Sequence, residues 1–106
     1  MSVIVTVWAK GDPKKLEEYA ASNREQMQSI IEAAKGHGVI AHRFYGADDG
    51  QIMVIDEWPD PQSFQSFFEG TRDRIGPLMQ GAGIQSEPAV NFWQKLETHD
   101  EVGWGE

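Results

Sequence analysis

Residues 52–68 read IMVIDEWPDPQSFQSFF, an apolar strand running into a helix start. The segment Trp58-Pro59-Asp60-Pro61 closes the strand, Asp60 offers an N-cap, and an aromatic stripe of Phe64, Phe67 and Phe68 follows at helical spacing. The same device occurs near the beginning. Val3 to Ala9 (VIVTVWA) is a β-branched and aromatic run, and Trp8-Ala9-Lys10-Gly11-Asp12-Pro13 again sets a strand-ending Trp just before an Asp-Pro opener. Two readings of this echo stand: each half is one copy of a strand-helix unit, or Asp-Pro is simply a good way to begin a helix.

Working outward, Leu16, Tyr19, Ala20, Met27, Ile30, Ile31 and Ala34 recur at helical spacing, which predicts one long amphipathic helix stopped by Gly36 and Gly38. Val39 to Tyr45 and Ile52 to Trp58 flank a polar, Gly-bearing segment, Gly46 to Gln51, and so predict a β-hairpin. Gly70 and then Gly76-Pro77 are expected to split the second helix. Pro88 to Leu96 supplies a fourth strand. The order β-α-β-β-α-β predicts an α+β, ferredoxin-like fold: one antiparallel sheet with two helices on one face. Residues 1–97 form the predicted domain, and residues 98–106 a C-terminal tail. From Glu97 onward this end carries four carboxylates and no Lys or Arg.

The 106 residues match one domain that buries roughly 65% of its unfolded surface. With 17 acidic residues against 9 Lys and Arg, the net charge of −8 opposes contact with a phosphate backbone, so no nucleic-acid partner is expected. The chain has no Cys, which removes disulfides, thiolate metal sites and cysteine nucleophiles. The three His, at 37, 42 and 99, lack metal-ligand spacing, and no dinucleotide or phosphate-loop fingerprint occurs, so neither metal nor cofactor is expected. No apolar run approaches a membrane span and no basic stretch precedes a cleavage site, which predicts a cytoplasmic protein without a membrane partner.

The strands do not alternate cleanly between apolar and polar. Val3, Val5, Val7 and Ala9 form one face of the first strand, Ile4, Thr6 and Trp8 the other, and the third and fourth strands are similarly apolar on both sides. Two helices cover only one face of such a sheet. A homodimer packed sheet against sheet, closing into an α/β barrel, is therefore expected.

With this element order, Glu57-Trp58-Pro59-Asp60-Pro61-Gln62-Ser63-Phe64-Gln65-Ser66-Phe67-Phe68 resembles the dimeric α/β-barrel superfamily, and within it the antibiotic biosynthesis monooxygenase-like group. There a strand-ending Trp, a short polar turn and a helix with an early Phe recur. The resemblance covers residues 3 to about 97. It implies a pocket between sheet and helices, a small aromatic or polyketide-like ligand, and oxidation without metal or flavin, in which the deprotonated substrate itself reduces dioxygen. Two departures stand out. Haem-degrading relatives carry an Asn on the first strand and a His on the second helix, whereas here Asn occurs only at 23 and 91 and no His lies between Asp56 and Gln94. The second-helix His base of the monooxygenase group is likewise absent, and that segment offers Arg72 and Arg74 instead.

Several residues are candidates for chemistry. His42 is the only His within a predicted strand, and the unperturbed imidazole pKa of about 6.5 suits proton abstraction from a phenol or an activated C–H. Asp56 is the second candidate base. Asp56 and Glu57 point to opposite faces, which excludes a glycosidase-like pair. Trp58 reads either as a pocket wall whose indole N–H meets a substrate oxygen or as a core plug at the sheet-helix corner. Trp8 and Phe68 are further positioning candidates, Phe68 being equally a core residue. Arg43 and Tyr45 share one face and are candidates for an oxyanion; Arg43 alternatively pairs with Asp56 or Glu57. Arg72 is a candidate for the pocket mouth and, as an alternative to Arg43, for stabilising the developing oxyanion. The resulting expectation is a cofactor-independent monooxygenase, with a non-enzymatic binding or stress-response protein and an isomerase or lactone-forming enzyme as alternatives.

Overall fold

The strand-rich beginning of the chain, Val3–Lys10, forms β1 at the centre of the sheet. The computed structural model describes residues 2–104; Met1, which begins the predicted domain, and Gly105 and Glu106, which end the predicted tail, lie outside them. Asp12 caps α1 (Pro13–Ser22), its carboxylate accepting from the amides of Lys14 and Lys15. α2 (Arg24–Gly36) follows, then the hairpin β2 (Ala41–Gly46) and β3 (Gln51–Trp58). Asp60 caps α3 (Pro61–Gly70) by accepting from the Ser63 amide at 2.8 Å, a bond that holds the Asp60 carboxyl below the usual carboxylate range. α4 (Arg72–Gly81) leads to β4 (Ala89–Trp93).

Each predicted helix is thus a pair. The first breaks at Asn23, whose backbone leaves the helical region and whose side-chain amide donates to the Tyr19 carbonyl at 2.9 Å. The second breaks at the buried Thr71, whose hydroxyl donates to the Phe67 carbonyl at 2.8 Å. Gly76-Pro77 makes no break. Pro77 lies inside α4, where its missing N–H costs a single helical bond. The fourth strand is shorter than its apolar stretch, ending at Trp93 instead of Leu96.

The sheet has the antiparallel order β2-β3-β1-β4, the ferredoxin-like arrangement with its two central strands drawn from separate halves of the chain. Register decides the faces. Val3, Val5 and Ala9 are buried against the helices, as are Ile52, Asp56 and Trp58 of β3. In β2, His42 pairs with Asp56 and Phe44 with Val54, so both join this helix side. Ile4, Thr6, Trp8, Arg43, Tyr45, Met53, Ile55, Asn91 and Trp93 fall on the opposite, open side.

The buried residues form two clusters. One joins Val3, Val5, Ala34, Trp58, Phe64 and Phe67; the other joins Leu16, Ile52, Leu78 and Ala82. Full burial of each large side chain contributes roughly 1.5–3 kcal/mol. Gly81 lets α4 lie close on α1, because a Cβ there would overlap the Tyr19 ring. Between the two clusters the packing leaves a cavity.

Candidate functional site

The cavity lies under the helix side of the sheet and draws its walls from both clusters, including Phe44 and Val54 from the sheet, Ile30 from α2, Phe68 from α3 and Ile75 from α4. Its volume is about 120 Å³, room for about four waters at liquid density. Among the described residues that line it, only His42 and Asp56 carry ionisable side chains. This combination, an apolar chamber with one polar corner, is the general form of a small-molecule site.

The corner is built by strand register. His42 sits directly across the β2–β3 ladder from Asp56, and its Nδ1 lies 2.7 Å from Asp56 Oδ1. Two residues along the same face of β3, Trp58 Nε1 donates to Asp56 Oδ2 at 3.0 Å. Asp56 is 4% exposed and Trp58 fully buried, whereas the His42 side chain, on the edge strand of the sheet, is 30% exposed. Both carboxylate oxygens are therefore engaged by ring nitrogens. A carboxylate only accepts, so beside the Asp56 carboxylate Nδ1 is the donor, and in the neutral imidazole Nε2 then keeps its lone pair, the form that takes up a proton. The Trp58 ring is wedged between Phe64 and Phe67, with centroids 5.8 and 5.3 Å away, which fixes its N–H on Asp56.

The structure brings His42, Asp56, Trp58 and Phe68 together on one side of the sheet and leaves four other candidates elsewhere. Trp58 contributes no cavity wall, and its N–H is committed to Asp56, not to a ligand. Phe68 lines the cavity and stacks on Phe64. Trp8 is on the open face and donates to Gln51 Oε1 at 2.7 Å. Arg43 and Tyr45 do share a face, with Arg43 Nη1 donating to Tyr45 Oη at 3.1 Å, but it is the open face, behind the sheet from the cavity. Asp56 takes His42 as its partner where Arg43 had been a candidate. Arg72 is exposed, beside Glu69 and 5.6 Å over the Phe68 ring, and does not line the cavity. The odd-even rule that separates His42 from Arg43 also excludes Arg43, Tyr45 and Trp8 once the helix side is known. The Asp56–Trp58 bond was open to the same rule, since residues two apart on a strand share a face.

No family model matches the chain. No curated protein matches it either. Solved structures do match over nearly its whole length. A conserved protein from Methanosarcina mazei Go1 is 18% identical, with a TM-score of 0.66 over 91% of this chain and 94% of that one. A monooxygenase from Streptomyces coelicolor, from the gene ActVA-Orf6 and in complex with nanaomycin D, is 17% identical, with a TM-score of 0.63 over 92% and 88%. A dimeric ferredoxin-like protein from an uncultured marine organism is 12% identical, with a TM-score of 0.66 over 95% and 93%. The chain has the ferredoxin-like fold of the antibiotic biosynthesis monooxygenase-like proteins. At these identities the likeness is one of fold, and the chemistry has to be argued from the cavity.

Proposed function

We propose that this protein is a cofactor-independent monooxygenase acting on an aromatic or polyketide-like small molecule bound in the cavity beneath the sheet. The observation that carries this reading is the 2.7 Å His42–Asp56 hydrogen bond at the polar corner of an otherwise apolar chamber. His42 is the general base, accepting a phenolic or enolic proton at Nε2. Asp56 holds the imidazole in the required tautomer and offsets the charge of the imidazolium that forms. The electron-rich anion then reduces dioxygen. For an anthrone, the reacting CH₂ loses both hydrogens and gains one oxygen atom as a carbonyl. The second oxygen atom leaves with those hydrogens as water, and all four electrons come from the substrate carbon. The Streptomyces coelicolor protein's complex with nanaomycin D supports a small-molecule ligand in this fold.

Oxygen uptake and product mass with a panel of hydroxylated anthrones and quinols test the reading. Stoichiometric uptake, reduced by His42→Ala, is expected; product formed without oxygen would point to isomerase or lactone chemistry and overturn it. A second reading, a binding protein without turnover, is favoured by one observation: Arg43 and Arg72, the candidate oxyanion partners, lie outside the cavity. Ligand binding unchanged by His42→Ala, with no oxygen uptake in either protein, would establish that reading.

Two copies of the chain pair through the open face of the sheet in this proposal. Trp8, Tyr45 and Trp93 are 40%, 46% and 54% exposed there, a patch that an isolated monomer would leave to water. Sedimentation showing an 11.9 kDa species at micromolar concentration would overturn it.

A further inference from the structure

We propose that the cavity selects a ligand that enters electrically neutral, presents one O–H donor to His42 Nε2, and carries no carboxylate. This rests on the reading of His42 as the proton acceptor and adds a rule about charge. Among the described residues lining the cavity no Lys or Arg occurs, and Asp56 is the one acidic side chain. Each of its oxygens already accepts one bond, from His42 Nδ1 and Trp58 Nε1, which weakens Asp56 as an acceptor for a ligand.

The charge balance follows directly. When a neutral phenol binds and passes its proton to Nε2, the site holds a phenolate, an imidazolium and a carboxylate, and its net charge stays at the single negative charge of Asp56. The new anion is created beside the cation that its own proton made. A ligand arriving as an anion brings a second negative charge into an apolar chamber with no Lys or Arg among the described residues of its lining, and to a neutral His42 it offers Nε2 an acceptor where a donor is required. Burial of an uncompensated charge is strongly unfavourable. A hydrocarbon of the same shape pays no such penalty but leaves Nε2 without the donor, and so falls between the two.

Calorimetric titration of the intact protein with three ligands of matched shape tests this: 1-naphthol, naphthalene and 1-naphthoate, at about pH 8, where the phenol is neutral and the carboxylate ionised. Naphthol is expected to bind roughly ten-fold more tightly than naphthalene, and naphthoate roughly a hundred-fold more weakly than naphthol. Naphthoate binding as tightly as naphthol, or no binding of naphthol, would overturn the proposal. His42→Phe is expected to erase the preference for naphthol over naphthalene. The comparison among the three ligands on the unaltered protein stands even if that variant fails to fold. Because the titration is run without oxygen and reads no turnover, selective binding here together with no oxygen uptake in the separate assay with anthrones and quinols would sink the monooxygenase reading and leave the selection rule intact.

Discussion

His42 and Asp56 face each other across the β2–β3 ladder, with Nδ1 2.7 Å from Oδ1, so a single backbone register sets both the position and the tautomer of the candidate base. Asp56→Asn keeps the shape and removes the charge. An amide can also present its N–H₂ to Nδ1 and move the imidazole proton to Nε2, where it blocks proton uptake. Turnover is expected to fall roughly 10²–10⁴-fold, with ligand affinity changed far less. Steady-state oxygen uptake alongside calorimetry separates the two effects, and equal turnover by the two proteins would remove Asp56 from the mechanism.

Trp58 acts through Asp56. Its indole N–H reaches Oδ2 at 3.0 Å from a fully buried position, so Trp58→Phe leaves one oxygen of a buried carboxylate without its donor and opens space against Phe64 and Phe67. A loss of about 3 kcal/mol in unfolding free energy is expected from urea denaturation. The ¹⁵N resonances of His42 should shift as well, since a less firmly held carboxylate alters its hydrogen bond to Nδ1. A variant with unchanged His42 resonances would show that Trp58 only fills space.

The fold was legible because its signals are local. The Asp12-Pro13 and Asp60-Pro61 caps and the Gly-bearing loop before β3 each state their structure within a few residues. The breaks at Asn23 and Thr71 were not, because there a side chain turns back on its own helix, which apolar spacing does not register. The candidate site was half legible. His42 and Asp56 were identifiable as residue types, and strand parity separated His42 from Arg43. Which parity meets the helices is decided by packing: Val3, Val5 and Trp58 meet Ala34, Phe64 and Phe67, and that choice places Trp8, Arg43 and Tyr45 behind the sheet. Both faces of β1 are apolar enough that composition alone did not make the choice.

Asp60 gives the fold a pH dependence with a definite sign. Its amide and hydroxyl bonds with Ser63 hold its folded-state pKa below the ordinary 3.8. The resulting stabilisation is complete above 3.8 and is lost as pH falls through the lower folded value. Asp60→Ala is expected to melt below the parent protein at neutral pH, with the gap closing under strongly acidic conditions. A gap independent of pH would assign the loss to the helix start alone and not to the charge.

The contact of α4 with α1 depends on Gly81, where a Cβ would run into the Tyr19 ring. Gly81→Ala forces the ring or the helix aside. The substitution should cost about 1–3 kcal/mol despite the better helix propensity of alanine. Tyr19→Ala in the same background should recover part of the loss, and a double-mutant cycle in urea measures how much.

The open face of the sheet carries the proposed dimer, and Trp93 is its most exposed strand aromatic, at 54%. Its N–H donates to Thr6 Oγ1 at 2.8 Å, which ties the indole of β4 to the neighbouring strand β1 on this face. Trp93→Glu places a charge on that open face without touching the helix-side core. Aromatic anchors in interfaces commonly contribute 2 kcal/mol or more, so the dimer dissociation constant should rise at least about 30-fold. Sedimentation across a concentration series reads that shift, while circular dichroism reports whether the monomer keeps its sheet. If cavity ligands still bind the monomer, the chamber under the sheet is complete in one chain; if binding falls with the dimer, pairing across the open face holds β2 and His42 in place.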